Sequence, residues 1–293
     1  MDFTALNPVG LFARRSYDVG DKVALITGAG QGIGRELAGI LYSRGAFVVV
    51  VDVDEIAAEA AAAGLGSRAL AIAADVRDRA AMVAATELAV DTFGHLDVVV
   101  ANAGVTPKPA TVRTMDPRDF DRVMAINLEG CFNTVHPALD HIVAARGHVV
   151  VVSSCASFAP GMAGSPYMMS KAAVEQFGRA LRVELAAAGA SAGVAYFGVV
   201  ETEMTHAMLD QDDLGRELDQ MLPWPLNVRI TAAQAATVIA DGIGRRAART
   251  IAPSGWEPYA LLRGAVNVVL DAQLAGSAKV KDLLERVEQR TIG

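Results

Sequence analysis

Residues 22–41 read KVALITGAGQGIGRELAGIL. Lys22 to Thr27 is short, β-branched and apolar without alternation, which is the pattern of a strand buried on both faces. Glycines then stand at 28, 30, 32 and 34, and from Gly32 to Ser43 apolar residues recur at helical spacing. Strand, glycine turn and helix make one unit. The glycines permit positive φ and let a ligand approach the backbone closely. The helix N-terminus offers free N–H groups and the positive end of a dipole, suited to a pyrophosphate. Tight turns alone can use such a glycine pattern, but here the strand before it and the helix after it supply the required context.

The same alternation continues outward. FVVVVD (47–52), ALAIAADV (69–76), LDVVVANAG (96–104), HVVVVSS (148–154) and GVAYF (193–197) read as further buried strands, with RTIAPSG (249–255) a weaker seventh. Helical patterns lie between them: 54–63, 79–93, 117–142, 166–187 and 232–245. Repeated strand–helix–strand predicts an α/β fold, a Rossmann-type doubly wound parallel sheet of about seven strands with helices on both faces. Ligands of such sheets bind beyond the carboxyl ends of the strands. The expected organisation is an N-terminal arm (1–20), a single dinucleotide-binding domain (21–255) with a lid at about 203–230, and a C-terminal helical tail (256–293).

Composition sets limits. The chain has 293 residues, 52% hydrophobic, and a net charge of −7. A large core is available, and the acidic balance argues against nucleic acid. Cys131 and Cys155 make no disulfide framework and read as small buried hydrophobes, with a mild effect of Cys155 on nearby chemistry left open. The opening MDFTALNPVGLFARRS starts with an acid, contains Pro8 and lacks a continuous apolar core, so no secretory leader is expected. No apolar run is long enough to span a bilayer. The five histidines show no metal spacing, so no metal is expected. A cytoplasmic protein is expected.

Chemistry gathers where strands stop. The second strand ends in Asp52, whose carboxylate can accept both hydroxyls of an adenosine ribose and would repel a 2′-phosphate. Val53 follows it, and residues 29–31 are Ala, Gly and Gln, so no base waits for that phosphate. NAD is expected rather than NADP. On the helix from Pro166, Tyr167 and Lys171 share a stripe with Val174, Gly178, Leu181 and Leu185. A lysine beside a tyrosine at a strand-end crevice would stabilise the phenolate and let it exchange a proton near neutrality. Taken alone, the pair reads equally well as a core tyrosine beside a snorkelling lysine. Ser153 and Ser154 end the preceding strand, where a hydroxyl could hold a substrate oxygen.

Thr27-Gly28-Ala29-Gly30-Gln31-Gly32-Ile33-Gly34 and Tyr167-Met168-Met169-Ser170-Lys171 together resemble the short-chain dehydrogenase/reductase family, from about Asp21 to about Gly255. The resemblance implies an oxidoreductase acting on CH–OH groups, with Tyr167 as acid/base. Lys171 would lower its pKa and hold the nicotinamide ribose, Ser154 would orient the substrate oxygen, and Asn127 would support a water in the proton relay. Implied cofactor contacts are Gly28, Gln31, Gly32, Ile33, Gly34, Asp52, Val53, Asp75, Val76, Asn102, Ala103, Gly104, Tyr167, Lys171, Val200 and Thr202. A homo-oligomer, dimer or tetramer, is implied as well. One departure stands out: the family's Pro-Gly after the sixth strand is Phe197-Gly198 here, so the nicotinamide loop is expected to be shaped differently.

The lid segment carries Met204, Met208, Leu209, Met221, Leu222, Trp224 and Leu226. These either line a pocket for an apolar secondary alcohol or ketone or simply pack the lid helices; Met204 and Met208 are the expected substrate contacts. The tail beyond Gly255 reads first as a subunit contact or a cover over the site, and second as a membrane-surface element. Two other functions remain open: a dinucleotide-binding protein without turnover, and epimerase or lyase chemistry using NAD.

Overall fold

The structure, a computed structural model, describes residues 17–221 and 224–292. Most of the expected N-terminal arm and Leu222 of the lid lie outside the described residues. In chain order the elements are β1 (Val23–Thr27), α1 (Gly32–Ser43), β2 (Phe47–Asp52), α2 (Glu55–Leu65), β3 (Ala69–Ala73), α3 (Arg79–Phe93), β4 (Val98–Ala101), α4 (Pro117–Met124), α5 (Gly130–Val135), α6 (Leu139–Ala144), β5 (His148–Val152), α7 (Ser165–Glu184), β6 (Ser191–Phe197), β7 (Val200–Glu201), α8 (Glu203–Thr205), α9 (Asp213–Gln220), β8 (Ile230–Thr231), α10 (Ala232–Gly244), β9 (Arg249–Ala252), α11 (Glu257–Gly276) and α12 (Ala278–Ile292).

Seven strands form one all-parallel sheet in the order β3-β2-β1-β4-β5-β6-β9, and β7 pairs separately with β8. The weak seventh strand is therefore real: Val194 to Phe197 of β6 pair with Arg249 to Ala252. Side-chain alternation sends successive residues of each strand to opposite faces. Val23 and Leu25 meet α3 and α7 through Met82, Ala85, Val174 and Leu181. Ala24 and Ile26 meet α1 and α10 through Leu37, Leu41, Ala235 and Ile239. Leu25 is wholly buried, and truncating it to alanine would cost about 2–5 kcal/mol. The order in which successive strands are added reverses between β1 and β4, and that switch point opens a crevice at the carboxyl ends.

The sequence predicts one helix over 117–142, and the structure breaks it twice. A π-helical turn spans Ala125–Glu129, and a tighter turn at His136–Ala138 follows from Pro137, which has no N–H to donate. The π turn centres on Asn127, which is fully buried.

The tail folds back on its own chain. Arg263 of α11 forms two hydrogen bonds with the buried Glu175 of α7, at 2.8 and 2.5 Å. Tyr259 and Asn267 both donate to the Phe158 carbonyl. The outer face of α11 leaves Leu261, Leu262, Val268 and Val269 exposed. Among the described residues, no helix is long and apolar enough to cross a membrane.

Candidate active site

The glycine turn is fixed by sterics. Gly28 has φ +64, and a Cβ there would stand 2.9 Å from the Ala103 Cα. A Cβ on Gly34 would lie 2.4 Å from the Gly28 carbonyl oxygen. Only glycine lets α1 start this close to the strand ends. Most helices near the cleft are capped by side chains: Asp54 caps α2, Asp78 α3 and Thr231 α10. The N-cap of α1, Gln31, makes no such bond. Its first N–H groups face the crevice without a side-chain acceptor.

Asn102 braces this turn from β4. Its Nδ2 donates to the Thr27 and Gly28 carbonyls at 3.0 and 3.1 Å, while the Asn102 N–H reaches Thr27 Oγ1 at 3.2 Å. Asp52, at the end of β2, accepts from the Gly30 N–H through Oδ2 (2.9 Å) and from the Asp54 N–H through Oδ1 (3.1 Å). Each oxygen keeps accepting capacity toward the cleft.

A cleft of about 680 Å³ runs across these strand ends. Its lining includes Gly28, Gln31, Gly32, Ile33, Asp52, Val53, Asp75, Val76, Asn102, Ala103, Gly104, Ser154, Tyr167, Lys171, Val200, Thr202 and Met204. Three expected residues do not line it. Gly34 sits behind the turn in contact range of Gly28, Asn127 is buried behind Val105 and Gly104, and Met208 is half-buried in the helical turn His206–Asp210. Asp75 is held by Arg77, whose hydrogen bonds keep the carboxyl below its ordinary range. Thr202 caps the short α8, accepting from Thr205 N at 3.3 Å.

Tyr167, Lys171 and Ser154 converge at one end of the cleft because β5 and α7 meet there. Lys171 is 4% exposed, and its ammonium donates to the Val152 carbonyl at 2.9 Å. Burial pulls its pKa down to about 8. The ammonium lies 5.7 Å from the centroid of the Tyr167 ring. Burial raises the Tyr167 phenol, opposed by its interaction with the Ser154 hydroxyl. The resemblance implies a lowered tyrosine; in this arrangement desolvation dominates. Ser154 Oγ donates to Phe197 O at 3.2 Å, and the Cys155 thiol beside it is driven up by burial.

Phe197 sits where proline was expected. It ends β6 in pairing with Ala252, and its ring is buried in the core. The Gly198 N–H donates to Ala252 O at 2.9 Å, and a Cβ on Gly198 would strike Trp256. The loop is thus shaped by β9 and the first turn of the tail.

The sequence reading missed Ser170. Its hydroxyl accepts from Asn127 Nδ2 at 3.0 Å and donates to the Tyr167 carbonyl at 2.8 Å. Asn127 also exchanges two hydrogen bonds with the Val105 backbone. The available signal was helical spacing: Ser170 lies three residues after Tyr167, one turn along α7. Arg77 and Arg35, both lining the cleft, were missed as well. No group of three or more metal-ligating side chains occurs among the described residues.

Comparison with known proteins bears directly on this geometry. The family model for short chain dehydrogenases matches residues 22–213. A probable oxidoreductase, EphD, of Mycobacterium tuberculosis is 38% identical over 190 residues, covering 63% of this chain. The match spans only 32% of that relative's length. A 2-(R)-hydroxypropyl-CoM dehydrogenase of Xanthobacter autotrophicus is 33% identical over 226 residues, covering 74% of this chain and 89% of its own. Among solved structures, a 3-ketoacyl-(acyl-carrier-protein) reductase of Brucella melitensis complexed with NADH superposes with a TM-score of 0.70. It is 29% identical and covers 80% of this chain and 97% of its own. Strand order, glycine turn and family match agree, and the chain belongs to the short chain dehydrogenase family.

Proposed function

We propose that the cleft binds a nicotinamide dinucleotide, NAD in preference to NADP, and that the enzyme oxidises or reduces a secondary alcohol or ketone, with Tyr167 as acid/base. The observation that carries this reading is the convergence of Tyr167, Lys171 and Ser154 on a cleft that also holds the glycine turn and Asp52. The residues fit the cofactor. The uncapped start of α1 suits a pyrophosphate, and Asp52 offers carboxylate oxygens to a ribose diol. Of the two arginines in the cleft, Arg77 is tied to Asp75, and the Asp52 carboxylate disfavours a 2′-phosphate, which supports NAD over NADP. Relatives named as dehydrogenases and reductases, and one crystallised with NADH, support the same reading.

When bound, the nicotinamide supplies the hydride acceptor or donor. The protein's share is proton handling and positioning. Tyr167 takes the proton from an alcohol oxygen, or gives one to a ketone, at its phenol oxygen. Ser154 holds that oxygen by a hydrogen bond. Lys171, protonated below about pH 8, supplies positive charge near the ring and would hold the nicotinamide ribose. Asn127 and Ser170 hold the first turn of α7 in place. An apolar substrate is favoured by Met204, Val105 and Ile126 in the lining. The free, buried Cys131 and Cys155 suit a reducing, cytoplasmic setting. A homo-oligomer goes with this reading, and the exposed apolar side chains of α11 offer surface for a second copy; sedimentation reads it directly.

The test is cofactor reduction, followed at the absorbance of reduced nicotinamide, with a panel of apolar secondary alcohols and with NAD or NADP. Turnover with NAD, weaker with NADP, supports the reading. NAD binding without turnover across the panel would favour a binding-only protein, and racemisation without net reduction would favour an epimerase.

A further inference from the structure

The C-terminal helix α12 touches three separate pieces of the molecule. Leu283 and Val287, one turn apart, are fully buried and share a small core with Leu214 of α9 and Ala163 of the loop leading into α7. On one flank Arg286 donates to both carboxylate oxygens of Glu217 on α9, at 2.8 and 2.5 Å, and Arg290 pairs with Asp212 at the start of the same helix. On another flank Glu288 accepts from Thr111 Oγ1 at 2.7 Å and from Arg113. Thr111 lies in the loop after β4, which is joined to the Tyr167 loop by the Ala110 N–H on the Ala163 carbonyl, at 3.0 Å. Spacing along the helix makes this possible: 283 and 287 point inward, while 286 with 290 and 288 fall to either side.

We propose that α12 is a positioning element for substrate capture. It grips the lid helix α9 through Arg286 and Arg290, the loop after β4 through Glu288, and the loop into α7 through Leu283 with Val287, so the lid is held in place before substrate arrives. The proposal rests on the reading of Tyr167 as the acid/base. Exposed ion pairs contribute little to global folding, each shifting an equilibrium by about five-fold at most. A lid, however, opens locally with a small free energy, so the same pairs weigh heavily in its own open–closed ratio. These pairs therefore act on substrate affinity while leaving overall stability almost untouched.

The test compares the full-length protein with Arg286→Glu and with the charge swap Arg286→Glu/Glu217→Arg, all in the presence of NAD. Amide hydrogen exchange of residues 213–220 and the KM, kcat and thermal midpoint are measured for each. Arg286→Glu is expected to speed exchange in that segment and raise the substrate KM about five-fold, with kcat, the KM for NAD and the midpoint little changed. The swap is expected to return exchange and KM most of the way. Arg290→Gln, acting through Asp212, is a second variant expected to move both quantities in the same direction. Unchanged exchange and KM in both single variants would overturn the proposal, as would a swap that restores nothing. If the wild type turns over no alcohol, the functional reading fails, and hydrogen exchange alone then decides whether α12 fastens the lid.

Discussion

Lys171 carries its ammonium 5.7 Å from the centre of the Tyr167 ring and donates it to the Val152 carbonyl at 2.9 Å. The two side chains are neighbours, yet desolvation governs both: the tyrosine is raised and the lysine is lowered to about 8. Both shifts disfavour the charged form, so the tyrosine is held toward the neutral phenol.

That protonation state sets a direction with pH. Ketone reduction needs the phenol and alcohol oxidation needs the phenolate. Reduction should be flat below neutrality and fall as pH rises through the tyrosine titration, while oxidation should climb over the same range. Profiles of kcat/KM against pH in both directions read the free enzyme. Oxidation fastest in acid would contradict the assignment.

Asp52 ties the glycine turn to β2 through the Gly30 N–H and faces the cleft. Asp52→Asn keeps one acceptor oxygen and removes the charge. Its KM for NAD should rise at least about tenfold, the worth of a charge-assisted hydrogen bond, and discrimination against NADP should shrink. Steady-state kinetics with each dinucleotide measures both. Unaltered cofactor preference would remove Asp52 from the ribose site.

Ser170 links Asn127 to the Tyr167 carbonyl. Ser170→Ala leaves an amide hydrogen of Asn127 without its buried partner. The expected loss is about 1–2 kcal/mol in urea unfolding, together with lower kcat. Full stability and activity in this variant would show that the link is dispensable.

His148 opens β5, is 1% exposed, and bonds to Ser191 Oγ at 2.8 Å. Burial lowers its pKa from 6.5 to about 3. Below the ordinary value the unfolded chain binds a proton that the folded chain refuses. Stability is therefore complete above about pH 6.5 and falls as pH drops toward 3, by up to about 1.4 kcal/mol per pH unit. His148→Asn should unfold with a shallower acid dependence over that window. Identical slopes for the two proteins would show that another group drives the acid transition.

Much of this was legible in the sequence. Unbroken valine runs announced a sheet buried on both faces, and glycines at 28 and 34 announced a turn whose Cβ positions the structure shows to be filled. The Tyr167–Lys171 stripe left a snorkelling lysine open, and the structure turns the stripe inward: Lys171, Val174, Gly178 and Leu181 are all buried. Other features depend on contacts distant in sequence and left no periodic trace. The π turn at Asn127 answers to Val105 and Ser170, 22 residues before and 43 after it. The tail read equally as subunit contact or cover; only pairing with Glu175, Glu217 and Thr111 shows how it lies on its own chain. Met208, expected from composition as a substrate contact, is half-buried and does not line the cleft.

The central claim is that Tyr167 moves the proton while the remainder of the cleft binds the cofactor. Tyr167→Phe removes one hydroxyl and little volume. The measurement is single-turnover reduction of NAD by the best alcohol substrate, alongside NAD binding to the same variant. The account predicts normal NAD binding and a rate reduced at least about a hundredfold. A variant that binds NAD and reduces it at the wild-type rate would contradict it.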